Sequence, residues 1–300
     1  MTNQTLTPTR ALVLGGGGPI GIAWQLGVIA GLADSGVDLL QADKVIGTSA
    51  GSVVGALLCS GRPPSELYTT FVEVARRGEH ADPDIVFVAE DLAPLIQFIM
   101  RKPPSGYADT ALLSEIGAYA LASKTVGEQR FVAGIARLLQ PEKPGSYQIL
   151  SNQTWPARFA CTAIDAETGL FRVWDATSRV PLDRAVASSC AVPGLYPPVT
   201  IGATRYFDGG MRSPTNSDLA AGCDEVVMLA VTVLPFADHM AHAARHEAEQ
   251  LGVRKCRLIV PDQKSLEVFG PNLMDRNRGA EVALAGFEQG QAEAARLGIG

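Results

Sequence analysis

Two short apolar runs in the first 60 residues each end in a turn of small residues and pass straight into a helix-compatible segment. This repetition constrains the fold more than any other feature of the chain. The first run is Ala-Leu-Val-Leu at 11–14, followed by Gly15-Gly16-Gly17-Gly18 and by Pro19. Pro19 suits the first turn of a helix, where a missing N–H costs nothing. The helix extends to Asp34 or Ser35, and Gly36 stops it. The second run, 43–47, is followed by Thr48-Ser49-Ala50-Gly51 and a helix over 50–60. Strand–helix–strand–helix spacing this tight implies parallel strands covered by helices. The expected architecture is a three-layer α/β/α fold with a mostly parallel central sheet.

Further along, residues 64–140 read as mostly helical, with breaks at Pro83, Pro103-Pro104 and Gly127. Within them, 85–100 is strongly apolar yet carries Glu90, Asp91 and Pro94. It suits a core helix, or a lid or interfacial helix over an apolar substrate site. Strands at 158–165 and 170–175, joined by Glu167-Thr168-Gly169, form a hairpin. A helix at 182–191, a proline-rich stretch and a short strand at 204–207 lead into Asp208-Gly209-Gly210. A helix near 216–221, strands at 225–233 and 256–261, a helix at 238–251 and two terminal helices complete the chain. With no internal repeat and no linker, residues 1–300 are expected to form one domain.

Composition removes several functions. Of 300 residues, 47% are apolar and 19% charged, which supplies a core and lacks the signature of disorder. The net charge is −6, with no dense basic block, so nucleic acid is not an expected partner. The five cysteines are widely spaced and include no C-x-x-C pair. They read as reduced thiols of an intracellular protein, not as a disulfide framework or zinc site. The N-terminus has no apolar signal-peptide core, and no apolar stretch reaches the roughly 18 residues of a membrane span. A cytoplasmic location is expected.

The chemistry concentrates at the two turns. Gly16, Gly18 and Gly21 complete a G-x-G-x-x-G after a strand, which invites a dinucleotide reading. That fingerprint also wants an acidic residue at the end of the second strand, where this chain has Gly47-Thr48-Ser49. The P-loop lysine is absent as well. Consecutive glycines at a helix N-terminus can instead aim N–H groups at a developing oxyanion. Gly47-Thr48-Ser49-Ala50-Gly51 is the G-x-S-x-G pattern of a serine held on a sharp strand-to-helix turn. Adjacent parallel strands would bring both turns to the same edge of the sheet, an acyl-transfer signal. The bland alternative is that small residues merely pack a tight junction.

A serine hydroxyl needs a proton acceptor. His80 lies in a polar loop, and His239, His242 and His246 lie on a polar helix. The order Ser49, Asp208, His242 matches α/β-hydrolases, but only two strands precede Ser49, fewer than that fold places before its serine. Asp208 is the other candidate: ionised at neutral pH, and a better base if burial raises its pKa. Asp-Gly is also an ordinary turn pair. No metal or organic cofactor is called for, and Glu247 and Glu249 do not complete a histidine metal site.

Together, G-G-G-G-x-x-G after the first strand, G-T-S-A-G-S after the second and a late D-G-G resemble the patatin-like phospholipases. The stretches 163–169 and 187–198 support the resemblance, which covers roughly 11–233. Residues 234–300 would add a strand and helices that complete the fold. The resemblance implies a Ser–Asp dyad of Ser49 and Asp208, without histidine. It further implies an oxyanion hole from Gly16, Gly17 and Gly18, with Gly21, Gly47, Gly51, Gly209 and Gly210 shaping the turns. The implied substrate is a lipid ester, phospholipid or neutral lipid, met at a membrane surface. Many family members carry Arg or Lys where this chain has Ile20, which puts a preference for phosphate-bearing lipids in question. The competing classes are a non-catalytic nucleotide- or lipid-binding protein and a Ser-His-Asp esterase.

Overall fold

Side-chain alternation along the strands sets the layers. In β1 (Arg10–Leu14), Leu12 and Leu14 enter one apolar cluster, while Ala11 and Val13 enter another. A strand divided in this way is buried on both faces, so the sheet needs helices on both sides. The computed structural model describes residues 9–78, 87, 91, 93–102, 107–140, 155–233 and 236–297.

After β1 come α1 (Gly18–Asp34), β2 (Lys44–Gly47), α2 (Ala50–Leu58), α3 (Pro64–Arg76), α4 (Ala93–Met100), α5 (Thr110–Ala122) and α6 (Glu128–Leu139). Then follow β3 (Phe159–Asp165), β4 (Phe171–Trp174), α7 (Leu182–Ser189), β5 (Val199–Ile201) and β6 (Thr204–Asp208). The last elements are β7 (Glu225–Leu229), α8 (Ala237–Gln250), β8 (Lys255–Ile259), α9 (Gln263–Phe269) and α10 (Gly279–Leu297). The strands join one sheet in the order β5-β6-β3-β2-β1-β7-β8, with β4 also paired to β3. The central five strands, β3 to β8 in that order, are parallel, and the antiparallel pairs lie at the β4–β5–β6 end. This is the three-layer, mostly parallel α/β/α architecture that the two opening turns imply.

One face carries α1, α2, α3, α6, α7, α9 and α10. The other carries α8, with α4 and α5 over β3 and β6. Helix α1 is buried from Ile20 to Leu32 and therefore shows no polar side. It packs backbone-close on α10, where a methyl at Gly286 would meet the Trp24 carbonyl at 2.5 Å.

Two sequence expectations need revision, and one strand was not foreseen. The strand within the apolar run 225–233 ends at Leu229: Leu229 accepts the Gly15 N–H, the Ala230 N–H still donates to the Ile259 carbonyl, and Val231 turns against Gly17. β5 is a three-residue strand between prolines and Gly202, too short to show a pattern. The helix expected near 216–221 is a single 3₁₀ turn over Ser217–Ala220.

β6 is placed by a division of β3's edge. Cys161 pairs with Gly47 of β2 and with Trp174 of β4, while Ala163 pairs with Asp208 of β6 and with Arg172 of β4. A strand has two edges, and β4 occupies one along this stretch. β2 and β6 therefore share the other, and β6 takes over where β2 ends. Asp208 thus arrives beside the turn that carries Ser49.

Candidate active site

Ser49 is the N-cap of α2, with φ 54° and ψ −120°. A non-glycine residue there carries strain on the order of 1–3 kcal/mol. The turn is tight because its neighbours lack side chains for want of space. A methyl on Gly47 would lie 2.5 Å from the Gly51 carbonyl, and one on Gly51 would overlap the carbonyl of Leu14. Three side chains fasten the elbow from outside the turn. The Ser49 N–H donates to Ser189 Oγ at 3.0 Å, and the Ser49 carbonyl accepts from Ser52 Oγ at 2.6 Å and Cys190 Sγ at 3.2 Å. Ser49 remains 7% exposed.

Asp208 is 4% exposed, and its Oδ1 accepts the Gly210 N–H at 2.8 Å. Burial pushes the carboxyl up to about 7, against the opposing pull of a side-chain hydrogen bond with Ser49, the Gly210 N–H and the charge of Lys102. The structure therefore brings Ser49 and Asp208 together. Gly209 lets the chain turn against β3, since a methyl there would run into Thr162. Gly210 sits beside the Asp208 carboxyl, where a methyl would come within 3.0 Å of Oδ1.

The glycine turn lies across from the serine. A methyl on Gly16 would stand 3.4 Å from Ser49 Cβ, but the Gly16 N–H is taken up by the Pro214 carbonyl at 2.8 Å. Of the three expected oxyanion donors, Gly16 is therefore occupied. Gly17 (φ 152°) and Gly18 (φ 60°) have N–H groups with no acceptor among the described residues. They open α1, whose dipole favours negative charge there. Gly21 presses against Ala50 of α2 and Val231. Ile20 is wholly buried, so its position offers no place for a solvated cation.

Ser49 and Gly18 open into a cavity of about 190 Å³ between α1, α2, α3 and α6. Its walls are mostly apolar, including Ile22, Leu26, Val53, Leu57, Leu67, Phe71, Phe131 and Ile135, and arginines 130, 137 and 276 join the lining. Helices α3 and α6 show nothing in sequence that marks them as pocket walls beyond ordinary amphipathicity.

Helix α4 lies elsewhere. Leu95 and Phe98 pack on the cluster of α5, β3 and β6, on the sheet face opposite the cavity, while Met100 is exposed. Helix α4 thus forms no wall of the cavity, whereas Phe87 packs edge-on against Tyr196 of its lining, with ring centroids 5.2 Å apart; residues 85, 86, 88–90 and 92 lie outside the described residues, as do His80, Pro83 and Pro103-Pro104. The other histidines occupy α8: His239 and His242 are exposed, and His246 contacts Gln250 at 3.1 Å. None is bonded to Ser49 or Asp208 among the described residues. All five cysteines are free thiols, and no cluster of metal-ligating side chains occurs among the described residues.

Sequence reasoning missed the polar bed under the site. Asn216, left-handed at φ 49°, is buried, and its amide nitrogen reaches Thr48 Oγ1 (3.1 Å), Thr162 Oγ1 (3.3 Å) and the Gly209 carbonyl (3.1 Å). It therefore ties the flank of Ser49 to the flank of Asp208. Glu247, which points away from the histidines of α8, accepts hydrogen bonds from Ser213 and Thr215. The one signal for these residues was a polar cluster, 212–218, following D-G-G.

A strained serine turn and a buried carboxyl thus meet at the carboxyl edge of a parallel sheet in an α/β fold, above an apolar cavity. The sequence matches the family model "Patatin-like phospholipase" over residues 12–221, and the chain belongs to that family. No curated protein matches it. Among solved structures it is similar to VipD from Legionella pneumophila, with 14% identity and a TM-score of 0.44, over 94% of this chain and 67% of that one. It is also similar to the ExoU–SpcU complex of Pseudomonas aeruginosa, with 18% identity and a TM-score of 0.40, over 95% and 52% of the two chains. This chain thus spans about two thirds of the first and about half of the second. Among the described residues no helix is long and apolar enough to cross a membrane.

Proposed function

We propose that the protein is a serine hydrolase of lipid carboxylic esters, with Ser49 as nucleophile and Asp208 as proton acceptor. The observation that carries this reading is the pairing of a strained Ser49 with a buried Asp208 whose pKa is raised to about 7. A base poised near the working pH combines the correct protonation state with real proton affinity. As Ser49 Oγ attacks the ester carbonyl, its proton passes to Asp208. The N–H groups of Gly17 and Gly18 receive the oxyanion, and the apolar cavity holds the acyl chain. Collapse of the tetrahedral intermediate expels the alcohol, which takes the proton from Asp208. Water, deprotonated by the same carboxylate, then releases the acid from acyl-Ser49. The reaction needs no group beyond these residues and water.

Because Asp208 must be ionised, kcat/KM rises with pH through a limb near 7. The decisive test is labelling with a fluorophosphonate, which requires an activated serine. Wild type labels and hydrolyses lipid esters, whereas Ser49→Ala does neither and Asp208→Asn loses activity by a factor of about 10⁴ or more, the scale on which losing one member of a catalytic unit is felt. Undiminished hydrolysis by purified Ser49→Ala would sink the scheme. Loss of activity in His242→Ala or His246→Ala would move the proton acceptor to α8.

A further inference from the structure

Directly after α4, the chain sends Lys102 from the sheet face opposite the cavity toward the D-G-G turn. Its Nζ donates to the Gly210 carbonyl at 3.0 Å, and Gly210 in turn donates its N–H to Asp208 Oδ1 at 2.8 Å. We infer that Lys102 is a positioning residue for Asp208: its ammonium clamps the turn that orients the carboxylate and places a positive charge behind it, favouring the ionised form that accepts a proton. This rests on the reading of Ser49 and Asp208 as a catalytic pair.

The surroundings show why a cation belongs there. Asp208 is faced by Ser49 from the β2–α2 turn, Cys190 at the end of α7, and Lys102. Lys102 is faced by Asp208 and by Glu247 of α8, and Glu247 is flanked by Asp218 of the 217–220 turn. Tyr107 also feels Asp218, Glu247 and Arg212. Arg212 does not substitute for Lys102, because its guanidinium is bonded to Asp218 and Asn216 and lies between the rings of Tyr107 and Phe171. Burial pushes Lys102 down to about 8, while Glu247 and Asp208 hold its proton on. Glu247 is thus the counter-charge that keeps Lys102 cationic near neutrality, when Asp208 must lose its proton.

Three variants separate charge from anchoring. Lys102→Arg keeps both, Lys102→Gln keeps a donor for the Gly210 carbonyl without charge, and Lys102→Met keeps neither. The direct readout is the titration of the Asp208 carboxyl carbon in ¹³C-aspartate-labelled protein, identified by its loss in Asp208→Asn. Wild type and Lys102→Arg should titrate near 7. Both neutral variants should titrate higher by about half a pH unit, seen in turnover as about a threefold loss of kcat/KM below the limb. An unmoved midpoint in Lys102→Gln overturns the inference even if Lys102→Met fails to fold. A moved midpoint in a wild-type background without labelling or hydrolysis would leave the charge coupling standing and remove the esterase reading alone.

Discussion

The two strand-to-helix turns at the edge of the sheet look alike in sequence and use glycine for different reasons. In the first, Gly17 and Gly18 take positive φ values of 152° and 60°, so glycine supplies a backbone shape. In the second, neither Gly47 nor Gly51 has a positive φ; the left-handed residue is Ser49, and its glycine neighbours supply room. The difference follows from what each turn presents. A turn that offers N–H groups works best without side chains, whereas a turn that offers a hydroxyl must place a side chain where the backbone disfavours one. The surrounding contacts at Ser189, Ser52 and Cys190 hold the strained serine in place.

The largest effect that separates the two uses is expected at Gly51. In an open helix, Gly→Ala stabilises by up to about 1 kcal/mol. Here the added methyl overlaps the Leu14 carbonyl, so Gly51→Ala should destabilise by about 3 kcal/mol or more, or leave no folded protein. Urea unfolding measures this, and a variant as stable as wild type would show that β1 and α2 can part without penalty.

Next comes Gly18→Ala, which tests shape and not room alone. Its φ of 60° disfavours alanine, and the methyl would meet the Leu273 carbonyl at 2.7 Å, displacing the peptide that carries the proposed oxyanion donor at the cavity. Loss of an oxyanion donor costs about 100- to 1000-fold in kcat. We expect a loss at the lower end of that range, with KM little changed. A drop confined to KM would make this turn a substrate wall instead.

How much of this was legible in sequence depends on how local the cause is. Both turns, their helices and the glycines between them follow from neighbouring residues, and so they could be read. Asp208 could be named as a candidate base, but it could be tied to Ser49 only through its resemblance to a family motif, because its placement depends on β6 taking over β3's edge from β2, a relation between distant parts of the chain. Lys102, Asn216 and Glu247 come from three separate segments, and each looks like an ordinary surface residue until the fold assembles them. The Gly16 N–H failed as an expected donor for the same reason: its acceptor, Pro214, is remote in sequence.

Strain at Ser49 is matched by an electrostatic cost at Asp208. Its carboxyl titrates at about 7 when folded, against 3.8 as the ordinary value. A group with a raised folded pKa gives stability that is complete below about pH 4 and is lost as pH rises toward 7. Asp208→Asn removes this loss. Relative to wild type, the variant should gain about 2 kcal/mol on going from pH 5 to pH 8. Parallel stability curves across that range would show that Asp208 titrates alike in the folded and unfolded chains.

The smallest effect isolates the backbone of the second turn from its chemistry. Ser49→Ala and Ser49→Gly both delete the hydroxyl, so on the proposed mechanism both are inactive, and both remove the same hydrogen bond to Asp208. They differ only at Cβ. At φ 54° and ψ −120° alanine keeps the steric conflict, while glycine relieves it and gives back part of the gain through the greater freedom of its unfolded chain. Ser49→Gly should therefore be more stable than Ser49→Ala by more than the roughly 1 kcal/mol that already favours glycine over alanine at an unstrained N-cap. Urea midpoints of the two inactive proteins give the answer directly. If the gap is no larger than the N-cap preference alone, the serine turn stores no strain, and the contrast between a turn shaped by glycine and a turn held against its preference disappears.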